Sequence, residues 1–192
     1  MKTTSNYQNK TVARAVQHTK ELTYIALMVG VIAICSWISV PTVVPFTLQT
    51  FAVFAAVLLL GGKRGTLAII FYILLGMVGA PVFSNMNGGI SFLIGLTGGY
   101  IVGFVFVGLI YWLFETLLQK KLWWQICALV LGLAVCYAFG TGWFMLVYGD
   151  RFGAISLSSA LTMCVLPFIP VDLVKLAAAI LLTKAVEKRI EL

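Results

Sequence analysis

Long apolar runs, separated by short polar or glycine- and proline-rich segments, dominate the pattern of the chain. A helix needs about 20 residues to cross a hydrocarbon core of about 30 Å. By this measure the pattern predicts six membrane-spanning helices, over residues 22–40, 46–61, 65–79, 98–118, 122–148 and 170–186. The apolar stretch 156–186 is too long for one crossing, and Pro167 and Pro170 interrupt it. We therefore expect an irregular outer segment before the sixth helix.

The composition agrees with a membrane protein. Hydrophobic residues make up 61% of the 192 residues, charged residues only 10%, and the mean hydropathy is +1.06. A soluble domain carries about 25% charged residues, so this chain could not cover itself with polar surface in water. We expect an all-α integral membrane protein with one bundle domain over residues 21–192. Residues 1–20 lack the apolar stretch of a secretory signal and are interpreted as a cytoplasmic tail.

Basic residues gather on one side of the predicted spans. Only Arg151 falls in the opposite loops, and Lys175 lies within a span. The positive-inside rule then places both termini and the 2–3 and 4–5 loops in the cytoplasm. We expect the chain in the plasma membrane. The net charge of +7 follows from this asymmetry and does not indicate nucleic acid. The residues on the basic side are Lys2, Lys10, Arg14, Lys20, Lys63, Arg64, Lys120, Lys121, Lys184, Lys188 and Arg189.

The residue inventory argues against an enzyme, a resident cofactor or a metal. The four cysteines lie within apolar runs without a CxxC pair, and His18 is the single histidine. One histidine cannot build the usual metal sites or a catalytic triad. The glycine-rich turn at 61–65 lacks the spacing and the Ser or Thr of a phosphate-binding loop, so the chain is not expected to hydrolyse ATP itself.

Two charged residues lie deep in the last span. Asp172 and Lys175 are three residues apart and share one helix face. Charges inside a membrane cost at least about 2.5–3.5 kcal/mol each and commonly mark a functional site. The pair therefore predicts a solute-binding site near the outer face. The alternative is an Asp that favours the positive end of the helix and is neutralised by Lys175.

Other outer segments converge on the same side. Gln49, about one turn into the second predicted helix, is a candidate pocket residue or an ordinary helix-contact amide. The uncharged, glycine-rich segment 81–100 is too hydrophobic for a solvated loop and predicts a cover folded over the site. Within this segment Asn85 and Asn87 are candidate hydrogen-bonding groups or turn residues.

Several short motifs lie in or beside these spans: PFTLQ at 45–49, GAPVF at 79–83, GG at 88–89, TGGY at 97–100 followed by GF at 103–104, and PFIPVDLVK at 167–175. They resemble motifs of the BioY family, the biotin-binding S components of energy-coupling factor (ECF) transporters. The resemblance implies a six-helix, bacterial S component that captures biotin from outside. It would associate with a coupling subunit in the membrane and with two cytoplasmic ATPase subunits.

Biotin in turn implies roles for the candidate residues. Its ureido ring has two N–H donors and one carbonyl acceptor, which Asp172, Lys175 and Asn87 could match, with Gln49 as a further polar candidate. The aromatic candidates for the apolar wall are Phe83, Phe92 and Tyr100. Lys175, Arg151 or solvent could receive the biotin carboxylate.

The small residues Ala26, Gly30 and Ala33 on the first helix resemble the surface with which S components dock to the coupling subunit. Internal helix packing is the alternative role for them.

Two other functions stay open from the sequence. One is a self-sufficient carrier that uses the same pocket without ATPase partners. The other is an intramembrane enzyme that modifies a lipid or vitamin, against which the residue inventory argues.

Overall fold

A computed structural model of the chain describes residues 2–40, 42–118 and 121–190, excluding the side chains of residues 2–13, 15 and 190. Pro41 and Lys120 therefore lie outside the described residues. Over the described ranges the chain is almost entirely helical, with one two-stranded hairpin and one 3₁₀ turn at Ser84–Met86. The helices are α1 Lys2–Trp37, α2 Gln49–Leu60, α3 Gly62–Met77, α4 Ile90–Leu93, α5 Gly98–Leu117, α6 Leu122–Phe152, α7 Leu157–Cys164 and α8 Phe168–Ile190.

The beginning of the bundle differs from the sequence pattern in two places. Helix α1 begins at Lys2, so the segment interpreted as a tail is helical and continuous with the first predicted span. Strands β1 (Ser39–Val40) and β2 (Phe46–Thr47) pair antiparallel between α1 and α2. The second helix therefore begins at Gln49, and the prediction that Gln49 lies one turn inside it is wrong. With 12 residues, α2 is only about 18 Å long.

The segment before the last helix is a helix itself, contrary to the irregular structure predicted there. Ser156 caps α7, because its Oγ accepts a hydrogen bond from the Ser159 amide at 3.2 Å. A short turn at 165–167 then leads into α8, and the two helices are bent by 41° relative to each other. Pro170 lies in the first turn of α8, where a missing N–H removes no helical hydrogen bond. The prolines thus mark a bend between two helices.

Three helices are long and apolar enough to cross a membrane: α1 over its segment Val16–Trp37, α5 and α6. The bent pair α7–α8 provides a fourth candidate if it is counted as one span, and α2 is a shorter apolar helix. These are the spans found among residues 2–40, 42–118 and 121–190. Together they are the expected arrangement of a multi-pass membrane protein.

Helix packing leaves room between α6 and α8. Helices α5 and α6 pack along their lengths, and Gly132 allows the close approach because a Cβ there would lie 2.9 Å from the Cα of Val107. Helix α8 packs mainly against α2 and contacts α6 far less extensively. The candidate site lies in this gap.

Candidate ligand-binding site

A cavity lies among α2, α5, α6 and α8 and contains about 600 Å³ of empty space, its open mouth included. The aliphatic and aromatic residues that line it are Val44, Pro45, Ile101, Phe104, Leu133 and Phe168. The polar lining residues are Thr47, Gln49, Thr50, Ser84, Thr97, Tyr100, Tyr137, Asp172 and Lys175.

Asp172 and Lys175 form an ion pair on the cavity wall, about one turn into α8. Asp172 is 2% exposed and Lys175 is 8% exposed. Lys175 Nζ donates to Asp172 Oδ1 at 2.7 Å, and Tyr137 Oη donates to Asp172 Oδ2 at 2.6 Å. Buried charges require such partners, because the loss of hydration is costly. Each carboxylate oxygen can still accept a further hydrogen bond, and the ammonium can still donate two.

Gln49 lines the same cavity from the first turn of α2 and is 4% exposed. Its Nε2 donates to Tyr72 Oη at 3.0 Å, and Tyr72 Oη donates to the Val82 carbonyl at 3.1 Å. This chain of hydrogen bonds fixes the side-chain amide of Gln49.

Tyr100 supplies part of the aromatic wall together with Phe104 and Phe168. Its hydroxyl shares a hydrogen bond with Thr141 Oγ1 at 2.9 Å. The ring lies directly against Gly140, where a Cβ would come within 2.3 Å of Tyr100 Cδ1. The absence of a side chain at this position in α6 makes room for the ring.

Two segments between the long helices also contribute to the cavity. The hairpin contributes Val44, Pro45 and Thr47, and its Phe46 ring stacks on Phe168 with a centroid distance of 4.0 Å and an interplanar angle of 7°. The glycine-rich segment contributes Ser84 and Thr97.

The glycine-rich segment is attached to the end of α1. Ser36 Oγ donates to the Val82 carbonyl, and Trp37 Nε1 donates to the Pro81 carbonyl at 2.8 Å. These two hydrogen bonds fasten the chain just before Ser84 to α1. Ser84 in turn lines the cavity.

Three residues predicted as ligand contacts lie away from the cavity lining. Phe83 is fully buried between Phe92, with ring centroids 5.3 Å apart, and Tyr72, with centroids 5.5 Å apart. Asn87 is exposed, and its Nδ2 donates to the Ser84 carbonyl at 2.9 Å. The aromatic side chains thus anchor the glycine-rich segment to α3, and the amide stabilises its turn. The roles of these three residues as biotin contacts stay predictions.

The small residues of α1 do not share one exposed face. Ala26 and Gly30 are exposed, and a Cβ at Gly30 would meet nothing within 4 Å. Ala33 is buried in the core of the bundle. Arg151 is exposed in the last turn of α6 and does not line the cavity.

The sequence pattern also missed residues of the site. Tyr137, Cys136, Cys164 and Phe168 line the cavity. The signal for Tyr137 is a phenol inside an apolar helix, since a buried Tyr hydroxyl usually finds a hydrogen-bond partner. Among the described residues, no group of three or more His, Cys, Asp or Glu side chains could hold a metal ion.

Comparisons with known proteins give consistent matches. The model of the BioY family matches residues 4–192. The biotin transporter BioY of Thermotoga maritima is 38% identical over 172 residues, which cover 88% of this chain and 96% of that protein. The biotin transporter BioY2 of Lactococcus lactis is 36% identical over 171 residues, which cover 87% and 89%.

A solved structure also matches. The crystal structure of the S component for biotin from an ECF-type ABC transporter superimposes with a TM-score of 0.77 at 29% identity. The match covers 90% of this chain and 93% of that one.

Proposed function

The chain belongs to the BioY family, and from that premise we propose that it binds biotin and takes it up as the membrane-embedded S component of an ECF-type transporter. The observation that carries the proposal is the buried cluster of Asp172, Lys175 and Tyr137 on the wall of an otherwise mostly apolar cavity. Such a cavity suits a small ligand with a polar head and an apolar body.

The ureido ring of biotin supplies that polar head. One of its N–H groups can donate to the Asp172 carboxylate, and its carbonyl can accept from Lys175, which keeps two N–H donors beyond its bond to Asp172. The thiophane ring and valeryl chain pack against Tyr100, Phe104 and Phe168. Hydrogen bonds to charged partners in a dry cavity are the strongest available to a neutral ring of this kind.

The biotin carboxylate points toward the mouth of the cavity in this arrangement. Lys175 is already paired with Asp172, and Arg151 does not line the cavity. A carboxylate that stays hydrated avoids the large cost of burying a third charge.

The topology proposed for this function has six crossings: α1, α2, α3, α5, α6 and the bent pair α7–α8. Both termini lie in the cytoplasm, because the first turn of α3 carries Lys63 and Arg64 and the end of α8 carries Lys188 and Arg189. The mouth of the biotin cavity then opens to the outside. A cysteine-accessibility scan with a membrane-impermeant reagent in intact cells tests this orientation.

The partners belong to the proposal as well. We expect a coupling subunit in the membrane and two cytoplasmic ATPase subunits, with the exposed Ala26 and Gly30 of α1 as a place of close helix approach. Uptake of biotin into liposomes, with and without the ATPase module, tests this dependence. Active accumulation by the chain alone would favour the self-sufficient carrier instead.

Biotin binding itself is tested on the purified full-length chain in detergent. Mass spectrometry of co-purifying small molecules is expected to identify biotin, and a calorimetric titration is expected to show one saturable site. Absence of binding in both measurements would refute the assignment of biotin. A covalent change in the bound molecule would instead revive the enzyme hypothesis.

A further inference from the structure

Tyr137 connects two helices that otherwise contact each other little. Its hydroxyl, on α6, donates to Asp172 Oδ2 on α8 at 2.6 Å, while α8 packs mainly against α2. We infer that Tyr137 is a positioning residue, which fixes the Asp172 carboxylate in the orientation that accepts the polar head of the ligand. This inference rests on the proposed function.

The geometry around Asp172 explains why a second partner matters. Lys175 comes from the same helix, three residues further along, and contacts only Oδ1. The torsion of a carboxylate about its Cβ–Cγ bond is soft, so one partner on one oxygen leaves its plane poorly defined. Tyr137 holds the other oxygen from the opposite side of the gap between α6 and α8. The two bonds together determine the plane of the carboxylate.

A fixed plane determines which lone pairs remain for a ligand. Each carboxylate oxygen of Asp172 accepts one hydrogen bond from a protein donor and can accept another from a ligand N–H. Because the carboxylate is already oriented, binding does not have to restrict its rotation. Orientation of a binding group by a neighbouring side chain in this way is a common requirement of tight sites.

Tyr137→Phe is the direct test, because it removes only the hydroxyl. We expect the dissociation constant for biotin to rise about ten- to a hundredfold, the effect of losing one hydrogen bond to a charged group. Tyr148→Phe is the matched control, since Tyr148 lies on the same helix, outside the cavity lining, with its ring against Phe144 and Phe152. We expect that variant to bind like the unmodified chain. Unchanged or tighter binding by Tyr137→Phe would overturn the inference.

A double-mutant cycle separates positioning from direct contact. If Tyr137 acts through Asp172, adding Tyr137→Phe to Asp172→Asn is expected to change the affinity less than twofold. An undiminished loss in the Asn background would mean that Tyr137 binds the ligand itself, which contradicts the positioning role. The affinities are measured by competition with labelled biotin.

A second variant keeps the test independent of how well Tyr137→Phe folds. Asp172→Glu retains the charge but moves the carboxylate by about one C–C bond, so we expect at least tenfold weaker binding if position is decisive. Full affinity of this variant would contradict the inference. The proposed function fails separately, because its failure would appear as absence of biotin binding by the unmodified chain.

Discussion

Gly140→Ala has a definite steric consequence for the cavity wall, because Gly140 lies directly behind the Tyr100 ring. A Cβ at this position would lie 2.3 Å from Cδ1 of Tyr100, whereas carbon atoms in contact lie about 3.5–4.0 Å apart. The Tyr100 ring therefore has to move by more than about 1 Å. Its hydroxyl is held by Thr141 on the same helix, so the ring cannot move without disturbing that 2.9 Å hydrogen bond.

The expected magnitude follows from two opposing effects. Overpacking a tight site costs about 1–3 kcal/mol, while Gly→Ala inside a helix gains about 0.5–1 kcal/mol. We expect Gly140→Ala to lower the free energy of unfolding by up to about 2.5 kcal/mol and to weaken biotin binding, because Tyr100 lines the cavity. Gly142→Ala is the matched control, since a Cβ there meets nothing within 4 Å and only the helix gain remains.

Thermal unfolding in detergent, with and without biotin, measures both quantities. For Gly140→Ala we expect a lower unfolding temperature without biotin and a smaller increase of that temperature when biotin is added. For Gly142→Ala we expect the increase on adding biotin to be unchanged. If both glycine variants behave alike, the reasoning that Tyr100 is packed against Gly140 is wrong.

Two further predictions concern the ends of the bundle. Phe46→Ala removes the stacked contact with Phe168 and is expected to speed biotin dissociation about two- to tenfold in a chase experiment. Val43→Ala, at an exposed position of the same hairpin, is expected to leave the dissociation rate unchanged. Equal dissociation rates for the two variants would contradict a role of the hairpin in retaining biotin in the cavity. Glu115→Gln replaces the carboxylate that accepts a hydrogen bond from the Gly62 amide at 2.6 Å, at the start of α3. We expect the free energy of unfolding to fall by about 1 kcal/mol and the affinity for biotin to stay the same, because Glu115 does not line the cavity. A loss of biotin affinity would contradict the separation of this end of the bundle from the cavity.

The sequence was most informative where a residue is costly in its environment. Asp172 and Lys175 stand out because charges inside an apolar span are expensive, and their spacing alone places them on one helix face. The structure brings both to the cavity together with Gln49 and Tyr100, which were also predicted. The number of crossings and the orientation of the termini stay predictions.

The remaining site residues depend on geometry that the chain pattern does not contain. Nothing in the sequence determines which face of α6 meets α8, so the pairing of Tyr137 with Asp172 could not be foreseen. Phe83 and Phe92 suggested an aromatic wall, but in the structure they stack on each other and Phe83 packs against Tyr72 of α3. A loop side chain can face either way, and only the packing of the folded segment decides.

The Asp172 carboxylate is proposed to bind the polar head of biotin, and a calorimetric titration of the Asp172→Asn variant with biotin is the decisive experiment. Losing a hydrogen bond between a charged group and the ligand costs about 1.5–3 kcal/mol, which corresponds to roughly 10- to 160-fold weaker binding. Asp150→Asn, at an exposed position near the end of α6, is the control and is expected to bind biotin normally. Unchanged affinity of a folded Asp172→Asn variant would contradict the account and would favour a role for Asp172 in stabilising the start of α8.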